Sequence, residues 1–515
     1  MVRLVRRHVA RRGQDEGIAL VVAIALVALV AMVMATVVAV AIYESAATGR
    51  DRDRAAAVQA AELALDTYMA QIDGGPVSTL PCGTGTSTVK VGPETFTIET
   101  RTTYLKENGS IADTSTHVTC DQVKAGTRAY LAHVIATAHG DAAAGQQPVA
   151  RTAETLLSLT PVYTNSMNKA IYGDSGISFA NHVSLYGEGG QPNADLYTNG
   201  NVKCQNNQEF QGSIYAQGSV SMSNSCRVAV DVHAGTEFRA DNPSVSINGR
   251  VLVANGNATI NAAFHLGQQM LVSGHINAPS SANRTAVCGT SKCFEGATVP
   301  AVPHEDFPQM TASSAAIAEW QAAGYSRVVT YSGSICNQHP PNPYNGKADW
   351  VAYDIFTNFA NGNWNSDTIV ISHCPQKVMY QGLNLTLPHN LVLFSDAGIV
   401  FSNNTVVESN NGTHRNLYLI QPYDAVSVHP CTNDGISLDN QVTVKDEVDV
   451  LLYSPCSVRK ANNTTHYGQI YSGGNAQIDN KLTMYYRPLP VFGLTDSSTV
   501  ASYAVDILYK RETTV

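Results

Sequence analysis

The sequence predicts a mainly β chain with a membrane-spanning N-terminal helix, a small α+β region and a long parallel β-helix. Three observations predict it. Residues 18–42 carry no charge and a single hydroxyl, Thr36. Beyond residue 195 a short phrase ending in glycine recurs at a coarse period. The ten cysteines fall as near neighbours along the chain.

The first element is the apolar run. About 20 apolar residues suffice to cross a hydrocarbon layer as a helix, and one charge at its centre would cost roughly 2.5–3.5 kcal/mol. Arg3, Arg6, Arg7, Arg11 and Arg12 precede the run, whereas Arg50, Arg52 and Arg54 follow it interleaved with Asp51 and Asp53. The positive-inside rule then keeps residues 1–17 in the cytoplasm and sends the body outside, as a single-pass membrane protein. A cleaved secretory signal is the alternative. Its apolar core is usually only about 7–15 residues, and Glu44-Ser45-Ala46-Ala47 is a poor cleavage site. After the span, Val58, Ala61, Leu65, Tyr68 and Ile72 recur at threes and fours, the stripe of an amphipathic helix continuing to residue 72.

Two segments carry a family resemblance. Gly17-Ile18-Ala19-Leu20-Val21-Val22 opens the run, and Arg52-Asp53-Arg54 leads through Gln59-Ala60-Ala61-Glu62 to Leu65. This resembles the N-terminal domain of the PilX family of type IV pilus assembly proteins over roughly residues 13–72. The resemblance implies a prepilin-type leader cut between Gly17 and Ile18, and partners among other pilin or pilus-assembly subunits besides the membrane. It implies a minor pilin acting in pilus assembly or adhesion. The fifth position after the cut is Val22, where most major pilins carry Glu. That departure weakens a role as the main filament subunit. A plain single-span anchor is the alternative that needs no pilus.

Residues 73–165 are expected to form a small pilin-like head. Phe96–Tyr104 alternates as a strand, two more are expected at Tyr130–Ala138 and Val149–Leu159, and Gly140–Gln147 reads as the turn between them. The solenoid follows over 166–278. Its recurring phrases end at Gly200, Gly218, Gly235, Gly256 and Gly274, spaced by 18, 17, 21 and 18 residues, with a relative at Ile470-Tyr471-Ser472-Gly473. Such a period is too short for a helix pair and suits one coil of a parallel β-helix. Each coil is expected to stack on the next and to turn at Gly or Asn, where φ can be positive. An antiparallel sandwich would explain the strands but not the phrase. Residues 279–367, rich in proline (Pro300, Pro303, Pro308, Pro340, Pro341 and Pro343), read as an excursion with one short helix, Ala312–Ala323, carrying Trp320. The solenoid resumes over 368–495 and ends in a strand or tail over 496–515.

The cysteines are expected to pair locally: Cys82 with Cys120, Cys204 with Cys226, Cys288 with Cys293, Cys336 with Cys374, and Cys431 with Cys456. A loop of about 20 residues closed in this way gains on the order of 3 kcal/mol, and such bonds persist outside the cytosol. No C-x-x-C is present, and His373-Cys374 has no companions at zinc-ligand spacing.

Charged residues are 14 % of the chain, well under the roughly 25 % of typical domains. The net charge is −9; five arginines against Asp15 and Glu16 give the leader +3, which leaves −12 for the rest. That argues against a nucleic-acid groove, which needs a basic stripe.

No catalytic, cofactor or metal site is expected, and the reading is non-enzymatic. The rival is an anchored β-helix that processes polysaccharides, with Asp446, Glu447 and Asp449 as its densest acidic cluster. His373, His389, His414 and His429 show no ligand spacing. A surface glycan is a candidate ligand, and Tyr197, Tyr215 and Tyr471 offer rings for it, although stacked tyrosines serve solenoid packing equally well. N-x-S/T triplets at Asn257, Asn384 and Asn411 are incidental in a bacterial cell.

Overall fold

The computed structural model describes residues 2–106, 109–140, 149–163, 167–342, 344–432, 434–494 and 499–513, with side chains from Leu20 onward. The expected turn after Gly140 and Pro343 lie outside the described residues. Two compact units form. One comprises residues 1–162 and 501–515, the other residues 163–500. The second is therefore an insertion between two strands of the first.

In the first unit, α1 runs unbroken from Val2 to Ile72, about 105 Å at 1.5 Å per residue. From Leu20 it is long and apolar enough to cross a membrane. Its C-terminal part buries Ala57, Ala60, Ala61, Ala64, Leu65 and Ile72. These mostly small side chains let the helix lie close on a sheet of β1 (Gly83–Val91), β2 (Glu94–Leu105), β3 (His117–Val118), β4 (Leu131–Gly140) and β5 (Ala150–Tyr163). Phe96, Ile98, Val134 and Ala136 are the sheet's buried counterparts, and Tyr68 Oη meets Thr100 Oγ1 at 2.6 Å. The successive main strands pair antiparallel. The C-terminal strand, Val500–Thr513, completes the sheet beside β5. A five-residue helix, α2 (Cys120–Lys124), is closed by a capping box at Thr119 and Gln122.

The second unit is a parallel β-solenoid with three faces. Each coil contributes one short strand to each face, and every strand pairs parallel with its counterpart a coil away. Inward positions are apolar with few exceptions, Gln208, Lys460 and His466 among them, and form one continuous core from Ile171 through Met270 to Tyr486. The sandwich alternative is thereby excluded.

The coils do not stack in chain order. The last coil pairs with the first: Ile470, Tyr471 and Ser472 lie beside Ile171, Tyr172 and Gly173, and Asn475–Tyr485 beside Gly176–Tyr186. The chain thus starts mid-solenoid, winds to one end, and returns to the other end through residues 295–326. It then winds back to the middle. The returning segment is not idle connection, as its packing below shows. It contains α4 (Ser314–Ala322), at the place expected for one helix. α3 (Ser281–Cys288) and α5 (Trp350–Ala360) were not foreseen. They cap the two solenoid ends, α3 with Val287 and Cys288, α5 with Val351, Ala352 and Ile355 in the core. Capping denies a free edge to further strands.

Corners obey two separate rules. The repeating glycines do not sit at positive φ. They are needed because the preceding coil's backbone passes too close: a Cβ on Gly235 would stand 1.9 Å from the Gln217 carbonyl oxygen, and one on Gly256 1.7 Å from that of Thr236. The left-handed corners belong to asparagine pairs instead, Asn206-Asn207, Asn403-Asn404 and Asn462-Asn463, with φ of 40–63°. Asparagine tolerates that region and brings an amide to an open corner. The amides form a ladder through Asn440, Asn462, Asn480, Asn181, Asn206, Asn224 and Asn242, each pair bonded at 2.8–3.1 Å. The Asn181-to-Asn480 bond bridges the two halves of the solenoid.

Five disulfides join Cys82–Cys120, Cys204–Cys226, Cys288–Cys293, Cys336–Cys374 and Cys431–Cys456, with Cα separations of 5.1–6.2 Å. Cys204 ends a strand on one face and Cys226 begins a strand on the next face of the adjacent coil, so their bond spans the inside of that corner.

Candidate functional site

A ligand can reach only what the solenoid leaves uncovered, and its three faces differ in this. On the first face, outward positions in the central coils are apolar or aromatic: Ile369, Phe394, Tyr418, Tyr453, Tyr471, Tyr172 and Tyr197 are all buried. The returning segment and residues 487–494 cover them with Val302, Met310, Ile317, Trp320, Leu489 and Phe492. Trp320 packs edge-on against Tyr418 at 4.7 Å and Phe492 at 5.1 Å.

The tyrosine hydroxyls of this face are committed to the cover. Tyr197 donates to the Pro303 carbonyl at 2.5 Å, Tyr172 to Glu305 at 2.6 Å, Tyr453 to Pro308 at 2.6 Å and Tyr418 to Pro490 at 2.8 Å. Tyr471 accepts from the Lys169 amide. Burial pushes the Tyr197 hydroxyl up to about 12. Tyr197 and Tyr471, named from sequence as sugar platforms, are therefore structural. Tyr215, on the same face, stacks on His233 at 4.5 Å. A cleft of about 550 Å³ remains beside the cover, lined by Met167, Tyr172, Glu305, Phe307, Pro308 and Tyr471.

A different set of tyrosines stands on the open third face. Tyr467, Tyr485 and Tyr186 are outward residues in register on three successive coils. Tyr467 and Tyr485 stack at 4.8 Å with planes 10° apart, and Tyr485 and Tyr186 at 5.2 Å and 25°. Two residues before each along its strand, Thr465, Thr483 and Ser184 form a parallel row in the same register, continued by Thr443. All six side chains are half-buried. The junction between the last and first coils, between Tyr485 and Tyr186, assembles the ladder from residues about 300 positions apart in the chain. No local signal in the sequence could have found it.

Arg487 closes one end, its guanidinium 4.6 Å from the Tyr467 ring centre. It pairs with Asp449 at 3.0 Å and donates to the Asp446 carbonyl. His414 Nδ1 lies 3.7 Å from the other Asp449 oxygen. Burial raises the Asp449 carboxyl, against which the Arg487 bond and charge work. The acidic cluster is thus resolved into separate roles. Asp449 is an ion-pair partner, whereas Glu447 lies just before the strand Val448–Ser454, where its side chain accepts from the Ser409 amide at 3.5 Å.

A titratable pair lies inside the core. Lys460 and His466 both point inward within one coil and are fully buried. Neither the Lys460 amine nor either His466 ring nitrogen makes a hydrogen bond among the described residues. Burial, opposed by Asp479, depresses the Lys460 amine to about 7; burial and then Lys460 itself depress His466 to about 3. In the first unit, His133 and Arg511 flank the buried Glu154 at 3.0 and 2.6 Å. Burial opposes the charge, but these bonds win and hold the carboxyl below its ordinary range.

Gly17 and Ile18 lie within α1. The ten cysteines occupy the bonded pairs given above. Among the described residues no group of three or more His, Cys, Asp or Glu side chains converges as a metal site.

Comparison with known proteins bears on the solenoid. The model of a family described as "Putative Ice-binding-like adhesive domain" matches residues 195–373, about a third of the chain. No curated protein matches. Among solved structures, the competence-associated pilin ComZ from Thermus thermophilus is 11 % identical, with 89 % of this chain and 97 % of that chain covered and a TM-score of 0.27. A possible adhesin C-terminal domain from Caldicellulosiruptor kronotskyensis is 8 % identical, covering 64 % of this chain and 95 % of that one, with a TM-score of 0.22. The stretch of this chain that resembles an adhesive domain runs from the second coil of the solenoid through α3, the return segment and α5, and so includes both capping helices, before it reaches the strand Thr368–Ser372.

Proposed function

We propose that the chain is a membrane-anchored surface protein whose solenoid is an adhesive body, displayed on a pilin-like stem and acting without catalysis. The observation that carries this reading is the adhesive-domain match over residues 195–373, which falls on a rigid, disulfide-bonded solenoid behind a helix able to span a membrane. The arginine bias around the span supports an exported body. The sequence resemblance to PilX-like minor pilins supports cleavage between Gly17 and Ile18 and association with other pilin subunits, with a surface glycan as the candidate ligand. Against the polysaccharide-processing alternative stands the engagement of Asp449 by Arg487, which leaves that carboxylate as a structural partner.

The test is N-terminal sequencing of the membrane-bound protein combined with adherence of intact cells. The expected result is a mature chain beginning Ile18-Ala19-Leu20, a body accessible to protease from outside, and reduced adherence when the chain is deleted. Recovery of the whole protein from the cytosol with reduced thiols would overturn the reading. Unchanged adherence on deletion would remove the adhesive role.

A further inference from the structure

We propose that the tyrosine ladder Tyr467–Tyr485–Tyr186, with the hydroxyl row Thr465–Thr483–Ser184 beside it, is a binding site for an extended neutral polysaccharide chain. This rests on the adhesive reading above and names its ligand and place.

The argument begins with what distinguishes these tyrosines from the others. The covered tyrosines of the first face each bond protein backbone. Among the described residues, the hydroxyls of Tyr467, Tyr485 and Tyr186 have no protein partner, nor do those of Thr465, Thr483 and Ser184. Six donor–acceptor groups therefore stand on one open face in two parallel rows. Their repeat is fixed by the coil, about 4.8 Å, and the rings hold it at 4.8 and 5.2 Å.

Stacked rings turn their faces to one another, so the solvent meets ring edges and hydroxyls. A strip of apolar edges bordered by hydroxyl rows matches an extended sugar chain, whose C–H patches and hydroxyl groups also alternate along its length. One sugar unit advances by about one coil, and in a β-1,4-linked chain alternate units present the same side, so every second unit would meet equivalent groups. Tyrosine suits this use because it brings a large, rigid, amphipathic surface with little entropy to lose.

Charge selects the class of chain. Arg487, the cation against the Tyr467 ring, is held between that ring and Asp449, and so is not free to pair with an anionic sugar. The exported part of the chain is net negative, which disfavours acidic polymers further. A neutral chain meets neither obstacle.

The test uses the full-length protein in detergent, with neutral hexasaccharides of β-1,4-linked glucose and N-acetylglucosamine as probes, their disaccharides, and polygalacturonate as the acidic comparison. Calorimetry reads affinity. The expected result is that a neutral hexasaccharide binds at least tenfold tighter than its disaccharide and than polygalacturonate. Tyr485→Ala should weaken that binding tenfold or more, and Tyr485→Phe should weaken it less while keeping the stack. Tryptophan fluorescence checks folding, since Trp320, Trp350 and Trp364 all lie in the solenoid. No binding by any neutral chain, equal or tighter binding of polygalacturonate, or wild-type affinity in folded Tyr485→Ala overturns the site. Cells carrying Tyr485→Ala separate the two claims: undiminished adherence sinks this site and leaves the adhesive reading standing. Loss of adherence only on deletion of the whole chain has the same meaning.

Discussion

Replacing Lys460 by methionine should make the solenoid more stable, and by an amount that depends on pH in a defined way. The amine is fully buried between Leu438 and Ile478 of the neighbouring coils, with His466 and Asp479 as the titratable groups around it. Burial brings its pKa from 10.5 down to about 7. The unfolded chain binds this proton up to about pH 10.4, so between pH 7 and 10 the unfolded state holds more protons than the native one. Stability must then rise with pH across that window. Below pH 7 the full penalty applies, and above 10 it vanishes. At about 1.36 kcal/mol per pH unit the penalty at pH 7 is on the order of 4–5 kcal/mol. Methionine has similar length and no charge to bury, so Lys460→Met should recover most of it. Urea unfolding under oxidising conditions, followed by tryptophan fluorescence, reports the solenoid alone. The variant's midpoint should exceed the parent's at pH 7, and the gap should close by pH 10. A variant no more stable at pH 7, or a gap constant in pH, would refute the buried neutral amine. His466 predicts the acid side of the same profile. Its pKa falls from 6.5 to about 3, so stability in parent and variant alike should decline as pH drops from 6.5 towards 3.

Two further outcomes follow from the corners. Gly235→Ala should cost about 3 kcal/mol or more, because the new methyl meets backbone that cannot yield, whereas Gly189→Ala, in the left-handed region at φ 59° and ψ 21° with open space around it, should cost only about 1–2 kcal/mol; urea midpoints compare them, and equal losses would contradict the close-approach account. Asn480→Ala removes both amide bonds of its ladder position, one to Asn462 and one to Asn181, and should cost about 1–2 kcal/mol; an unchanged midpoint would show that the ladder adds nothing across the junction.

Much of this architecture is legible in the sequence because it is locally encoded. The coil period shows through Gly200, Gly218 and Gly235 since each must avoid the backbone of the coil before it, and that constraint recurs with the coil. The stem shows through its lack of charge. The covered and open tyrosines cannot be told apart this way. Tyr471 and Tyr467 lie on one strand four residues apart, and only the distant return segment decides that one is buried and the other reachable. Coil order is hidden for a related reason. Every coil presents nearly the same edge to its neighbours, so nothing near Ile171 announces that its partner is Ile470. Lys460 and His466 stay hidden because a charged residue in an alternating strand reads as outward.

The mid-solenoid start has a mechanical consequence. Met167 and Leu494, where the described chain enters and leaves the solenoid, line the same cleft. Tension arriving through either connection therefore meets the middle of the rod, where the first and last coils are clamped along the whole of Asn475–Tyr485. Neither capped tip lies on that path, so pulling cannot peel turns away one at a time from an end. Rupture has to shear many backbone bonds together.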